Sequence, residues 1–194
     1  ACPPLTACSD TPNVDGGDAL FIFGVNSSGV VVHDLAISEF WDGIHTNGLN
    51  ATIDAVTFDG NCDDGFSGDS LAVGTLVRNS SFLNAPDKCV QENGESQNLP
   101  PKSSNSNLRG YYNTTYENVD WMDCHQPLRI SSQTIDGRIR LLNSRITGSN
   151  VGGTFTCDRV ALSGSGYAQI ASDSKVTNCA QGVILAGTME ANIV

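Results

Sequence analysis

Apolar residues along this chain fall in short runs broken by Asn, Asp and Gly, and almost nowhere follow a helical period. In order the runs are VVVHDLAI (30–37), ATIDAVTF (51–58), GTLVRNSSF (74–82), TTYENVDW (114–121), IRLLNSRI (139–146), FTCDRVAL (155–162) and QIASDSKV (169–176). Each reads as a strand interrupted by one turn-like polar residue: Asp34, Asp54, Asn79, Asn118, Asn143, Asp158 and Asp173. These recur at roughly 15 to 25 residues, with one wider gap before Asn118. A strand-based repeat of this length predicts a β-solenoid, in which coils that cannot bury their apolar face alone stack on their neighbours. Asn and Asp suit the corners because they tolerate left-handed backbone geometry. The pattern therefore predicts an all-β, right-handed parallel β-helix of about seven to eight coils. Regular hairpin spacing, which a β-sandwich needs, is missing.

One stretch departs from the repeat. ENGESQNLPPKSSNSNLRG (92–110) is polar, carries a Pro-Pro pair and has no apolar period. It reads as a long loop leaving one coil edge, so a single domain is expected over residues 1–194.

Composition narrows the function. Net charge is −11, from 21 acidic against 10 basic residues, which excludes the basic footprint of a nucleic-acid binder. An acidic chain can hold a polyanion only through local positive charge or a bridging divalent cation. No apolar run reaches membrane-spanning length, so no membrane partner is expected. Cys2, Cys8, Cys62, Cys89, Cys124, Cys157 and Cys179 lack zinc-site spacing and read as disulfide formers of a secreted protein. Their odd number leaves at least one for a free thiol or an intermolecular bond. Glycosylation sequons stand at Asn26, Asn50, Asn79 and Asn113, a weak signal in so Asn-, Ser- and Thr-rich a chain.

Acids gather in the first half. Asp42 opens DGIH, and Asp63 and Asp64 lie about one coil later in NCDDGFSGD. Carboxylates from adjacent coils on one face make an oxygen-rich site suited to Ca²⁺. In this base-poor chain, Lys88 in APDKCVQENG lies one coil further, and Arg129 in CHQPLRI lies beyond the loop.

Two runs resemble the short pectate lyases of polysaccharide lyase family 3: DGIHTNGLNATIDAVTFDGNCDDGFS and FLNAPDKCVQENG, together covering roughly residues 40–95. The resemblance implies calcium on Asp42, Asp63 and Asp64, substrate binding by Lys88, and Arg129 as the catalytic base. It implies β-elimination on an acidic polysaccharide such as polygalacturonate. Lys88, together with calcium, would hold a uronate carboxylate and acidify the proton on C5; Arg129 would take that proton as the C4–O bond breaks. Guanidinium stays protonated near neutral pH, so alkaline working conditions are expected. His125 is a neighbouring group that could contact substrate, although a polar turn residue is the plainer reading. If the loop shifts the register, Arg109 or Arg138 would take the place of Arg129.

Two departures stand out. Where the family has lysines, this chain has Asp69 and Gln126. They leave a second expectation open: a non-catalytic β-helix acting as a glycan-binding or structural subunit of an extracellular assembly.

Overall fold

The computed structural model describes residues 19–23, 27–38, 40–46, 48–68, 73–92, 111–130, 136–147, 160–170, 175–177 and 183–193. Cys2, Cys8, Asn26, Asp69, Arg109, Cys157, Asp158, Asp173, Cys179 and the loop beyond Glu92 lie outside them.

The strands follow in chain order: β1 (Ala19–Phe23), β2 (Val31–Ser38), β3 (Asp42–Thr46), β4 (Thr52–Asp59), β5 (Asp64–Gly68), β6 (Val73–Arg78), β7 (Ser81–Leu83), β8 (Lys88–Glu92), β9 (Tyr111–Glu117), β10 (Asp120–Met122), β11 (Gln126–Ile130), β12 (Asp136–Leu142), β13 (Arg145–Thr147), β14 (Val160–Ile170), β15 (Lys175–Thr177) and β16 (Val183–Ile193). Every strand pairing among them is parallel and joins one coil to the next. Three ladders result. The first runs β1-β3-β5-β8-β11 and on to the start of β14. The second runs through β2, the start of β4, β6, β9, β12 and the end of β14. The third runs through the ends of β2 and β4, then β7, β10, β13 and β15. The chain is a β-solenoid of parallel strands, as its repeat predicts. Uninterrupted, residues 48–68, 73–92 and 111–130 trace about three turns. That is fewer than the seven to eight coils expected, the other coils being described only as separate strands.

The corners explain the sequence repeat. Left-handed residues stack in three columns: Gly29, Asn50 and Gly74; Asp34, Ala55, Asn79, Asn118 and Asn143; and Gly60, Asn84 and Asp123. In the second column Asn143 donates to Asn118, Asn118 donates to Asn79 (3.0 Å), and Asn79 donates to Asp54 (2.9 Å). The expectation for Asp54 needs correction. Its corner is occupied by Ala55 at φ 55°, while Asp54 is the last outward residue before the bend, paired with Arg78. A left-handed Ala is strained by its Cβ, which Asn offsets with local hydrogen bonds. Ala55→Asn is therefore expected to stabilise the fold by about 1 kcal/mol, read as a raised urea midpoint with unchanged slope.

The core is built of rungs in register. Ile37, Phe58, Phe82, Trp121 and Ile146 follow one another inside the third ladder. Phe58 stacks on Phe82 with centroids 4.6 Å apart, and Phe82 on Trp121 at 5.7 Å. This packing places the site, because Gly43 and Gly65 lie against that stack. A Cβ at Gly43 would stand 2.5 Å from the Gly65 carbonyl and 2.8 Å from Phe58; one at Gly65 would stand 2.8 Å from Phe82. Only glycine admits so close an approach, and each of these glycines directly follows an aspartate of the acidic cluster.

Candidate metal and carbohydrate site

The first ladder stacks Asp42, Asp64, Lys88 and Gln126 at successive strand starts. Asp63 precedes Asp64 in the bend, where its backbone N–H donates to the Trp41 carbonyl at 2.9 Å. One carboxylate oxygen from each of Asp42, Asp63 and Asp64 lies within 4.8 Å of the others. Oδ1 of Asp42 accepts from the Asp64 backbone N–H at 3.1 Å. Oδ1 of Asp64 is buried and has no hydrogen-bond partner. A buried carboxylate oxygen that makes no hydrogen bond, among hard oxygen donors, fits a divalent cation such as calcium.

Lys88 is embedded in this cluster. Its ammonium donates to Asp63 and, at 2.6 Å, to Asp87, and stands 3.5 Å from Asp64 Oδ1; only 6% of its side chain is exposed. Burial alone would lower the Lys88 ammonium, but Asp64, Asp63 and Asp87 outweigh it and hold it above its ordinary range. Burial raises the Asp64 carboxyl well above its usual range, and Lys88 only partly offsets this; Asp63 is raised for the same reason. The two sides pull in opposite senses because one ammonium is shared among several carboxylates.

These shifts set a pH dependence. A carboxyl raised on folding stabilises the native state below its unfolded value and loses that contribution as pH rises through the folded one. In chelator, the melting temperature is expected to fall as pH rises above the ordinary carboxylate range, through the raised values of Asp64 and Asp63. Asp64→Asn should flatten that slope, and an unchanged slope would contradict the burial of its charge.

Arg129 lies on the same ladder, one rung beyond Lys88, in an outward row with Gln91, Ser67 and His45. It is exposed, and its Nη1 donates to Gln91 Oε1 at 3.4 Å. Rung spacing and strand rise put its Cα about 11 Å from that of Lys88. Arg138 belongs to β12 on the second ladder, so its backbone is on another side of the solenoid. His125 sits in the bend beside Asp87, its backbone N–H bonded to the Ala85 carbonyl at 3.1 Å. Gln126, where the family has lysine, stands one rung above Lys88. Asp87 and Gln91 were not singled out from sequence; Asp87 was within reach, since it directly precedes Lys88.

The surroundings are braced covalently. Cys89, next to Lys88, is disulfide-bonded to Cys124, next to His125. Cys62, next to Asp63, is disulfide-bonded as well. Of the sequons, Asn50 and Asn79 are exposed corner residues and Asn113 is half-buried on β9.

Residues 5–99 match the pectate lyase family model. That span holds Asp42, Asp63, Asp64 and Lys88, and stops short of Arg129. The parallel solenoid agrees with that match over the span it covers. This segment of the chain belongs to the pectate lyases. No curated protein and no solved structure matches the chain. The pectate lyase segment thus includes the whole acidic cluster and the lysine inside it.

Proposed function

We propose that the chain is a secreted, calcium-dependent lyase that cleaves polygalacturonate or a similar acidic polysaccharide by β-elimination. The observation that carries this reading is the juxtaposition of three converging carboxylates, Lys88 and Arg129 on consecutive rungs of one ladder. The Cys89–Cys124 bond supports an oxidising, extracellular compartment.

Asp42, Asp63 and Asp64 would hold the calcium ion. When bound, it supplies positive charge that draws electron density from a uronate carboxylate and acidifies the proton on C5. Lys88 adds a second cation for the same carboxylate. Arg129, on the exposed row, takes the C5 proton; the electron pair forms the C4–C5 double bond, and the C4–O bond breaks toward the leaving sugar. A guanidinium gives up its proton reluctantly, so the rate should rise into alkaline pH. Gln91 lies beside Arg129 in the row and accepts a long bond of 3.4 Å from its Nη1.

The metal assignment has a direct test. Calcium is expected to raise the melting temperature of the parent, by about 2.7 kcal/mol of stability at one hundred times Kd. Asp63→Asn with Asp64→Asn should remove both that response and the elimination activity. A double variant that responds to calcium like the parent would place the site elsewhere.

Gln126 in register with Lys88 favours a second reading, since it removes a cation from the substrate face. A scaffold that binds the polymer without cleaving it would keep the calcium response and lack product formation.

A further inference from the structure

In the family's chemistry Lys88 meets the substrate carboxylate, yet here its ammonium is turned into the acidic cluster. It is ion-paired with Asp63, Asp64 and Asp87, and almost wholly buried. Two of those partners, Asp63 and Asp64, are also metal-ligand candidates. The same oxygen of Asp64 that lacks a hydrogen bond is the one facing the ammonium at 3.5 Å.

We infer that calcium and the Lys88 ammonium compete for Asp63 and Asp64, so that binding is ordered: metal first, carboxylate-bearing ligand second. This rests on the calcium reading above. Unlike charges attract and like charges repel most strongly where water is excluded. A divalent ion among these carboxylates therefore displaces the ammonium from Asp63 and Asp64 and repels it. Asp87 is half-exposed, with 45% of its side chain open to solvent, and already holds the ammonium at 2.6 Å. Lys88 can swing outward while keeping that partner, which carries it from the cluster toward the ligand. Before the metal binds, Asp63, Asp64 and Asp87 together hold the Lys88 ammonium and keep it from a uronate.

The test uses the full chain in an Arg129→Ala background, which prevents turnover, with calorimetric titration of calcium and of digalacturonate. Lys88→Gln is expected to bind calcium at least about tenfold more tightly than Lys88, and Lys88→Arg, which keeps the charge, should bind it as weakly as Lys88. In chelator, digalacturonate should bind the Lys88 and Lys88→Gln proteins alike. With calcium saturating, the Lys88 protein should bind it at least about tenfold more tightly. Equal calcium affinities for Lys88 and Lys88→Gln, or an equal loss of digalacturonate affinity with and without calcium, would overturn the competition while leaving the metal site standing. If no variant binds calcium, the metal assignment itself falls, and this inference with it.

Discussion

Arg129→Ala is expected to lower the rate of unsaturated product formation by at least about 100-fold, the effect of losing a positioned proton acceptor. The fold and the calcium response should be unchanged. Arg129 is exposed, and its one described side-chain bond, to Gln91, is long at 3.4 Å. Removing it costs the core nothing, in contrast to Phe82 or Trp121, which are fully buried. The pH profile is the sharper readout. If the guanidinium is the base, the parent's rate climbs into alkaline pH, and the residual rate of the variant loses that climb. An Arg129→Ala protein with parental activity would reassign the base. Arg138 would not be its replacement on the same face, because β12 lies on another ladder.

The second large effect concerns the disulfide. Cys89 and Cys124 are 35 residues apart in sequence and enclose the polar loop. Opening a closure of that size is expected to cost about 3–4 kcal/mol, chiefly by freeing the unfolded chain. Cys89→Ala with Cys124→Ala should lower the guanidinium midpoint accordingly. The bond joins the coil bearing Lys88 to the bend leading into Arg129, so the double variant should also lose activity beyond its loss of stability. A variant as stable as the parent would mean that the ladder pairing of β8 with β11 alone spans the loop.

The solenoid was legible because its corners demand left-handed residues and the chain places Asn or Asp at most of them. The corner at Ala55 was misassigned to Asp54 because alanine carries no sign of left-handed geometry; only its rung position beside Asp34 and Asn79 reveals it. The acidic cluster was legible for a simpler reason. Two Asp-Gly pairs one coil apart must stack once the coils do, and the glycines are required by the Phe58–Phe82 packing behind them. The state of Lys88 was not legible. Sequence places it near the acids, but whether its ammonium faces solvent or the carboxylates depends on the direction of one long side chain, which a linear pattern does not encode. Gln91 was missed likewise, since its tie to Arg129 exists only through the pairing of β8 with β11.

On the proposed function, one ladder of this solenoid would join a calcium site to a base that eliminates across a uronate linkage. Ultraviolet absorbance of the C4–C5 unsaturated uronate end, followed during incubation with polygalacturonate at alkaline pH, tests it most directly. The account predicts a steady rise with calcium, none in chelator, and none for the Asp63→Asn, Asp64→Asn protein. No absorbance change from the parent at any alkaline pH with calcium present, in a protein that still melts higher with calcium, would contradict the lyase and leave a calcium-binding scaffold.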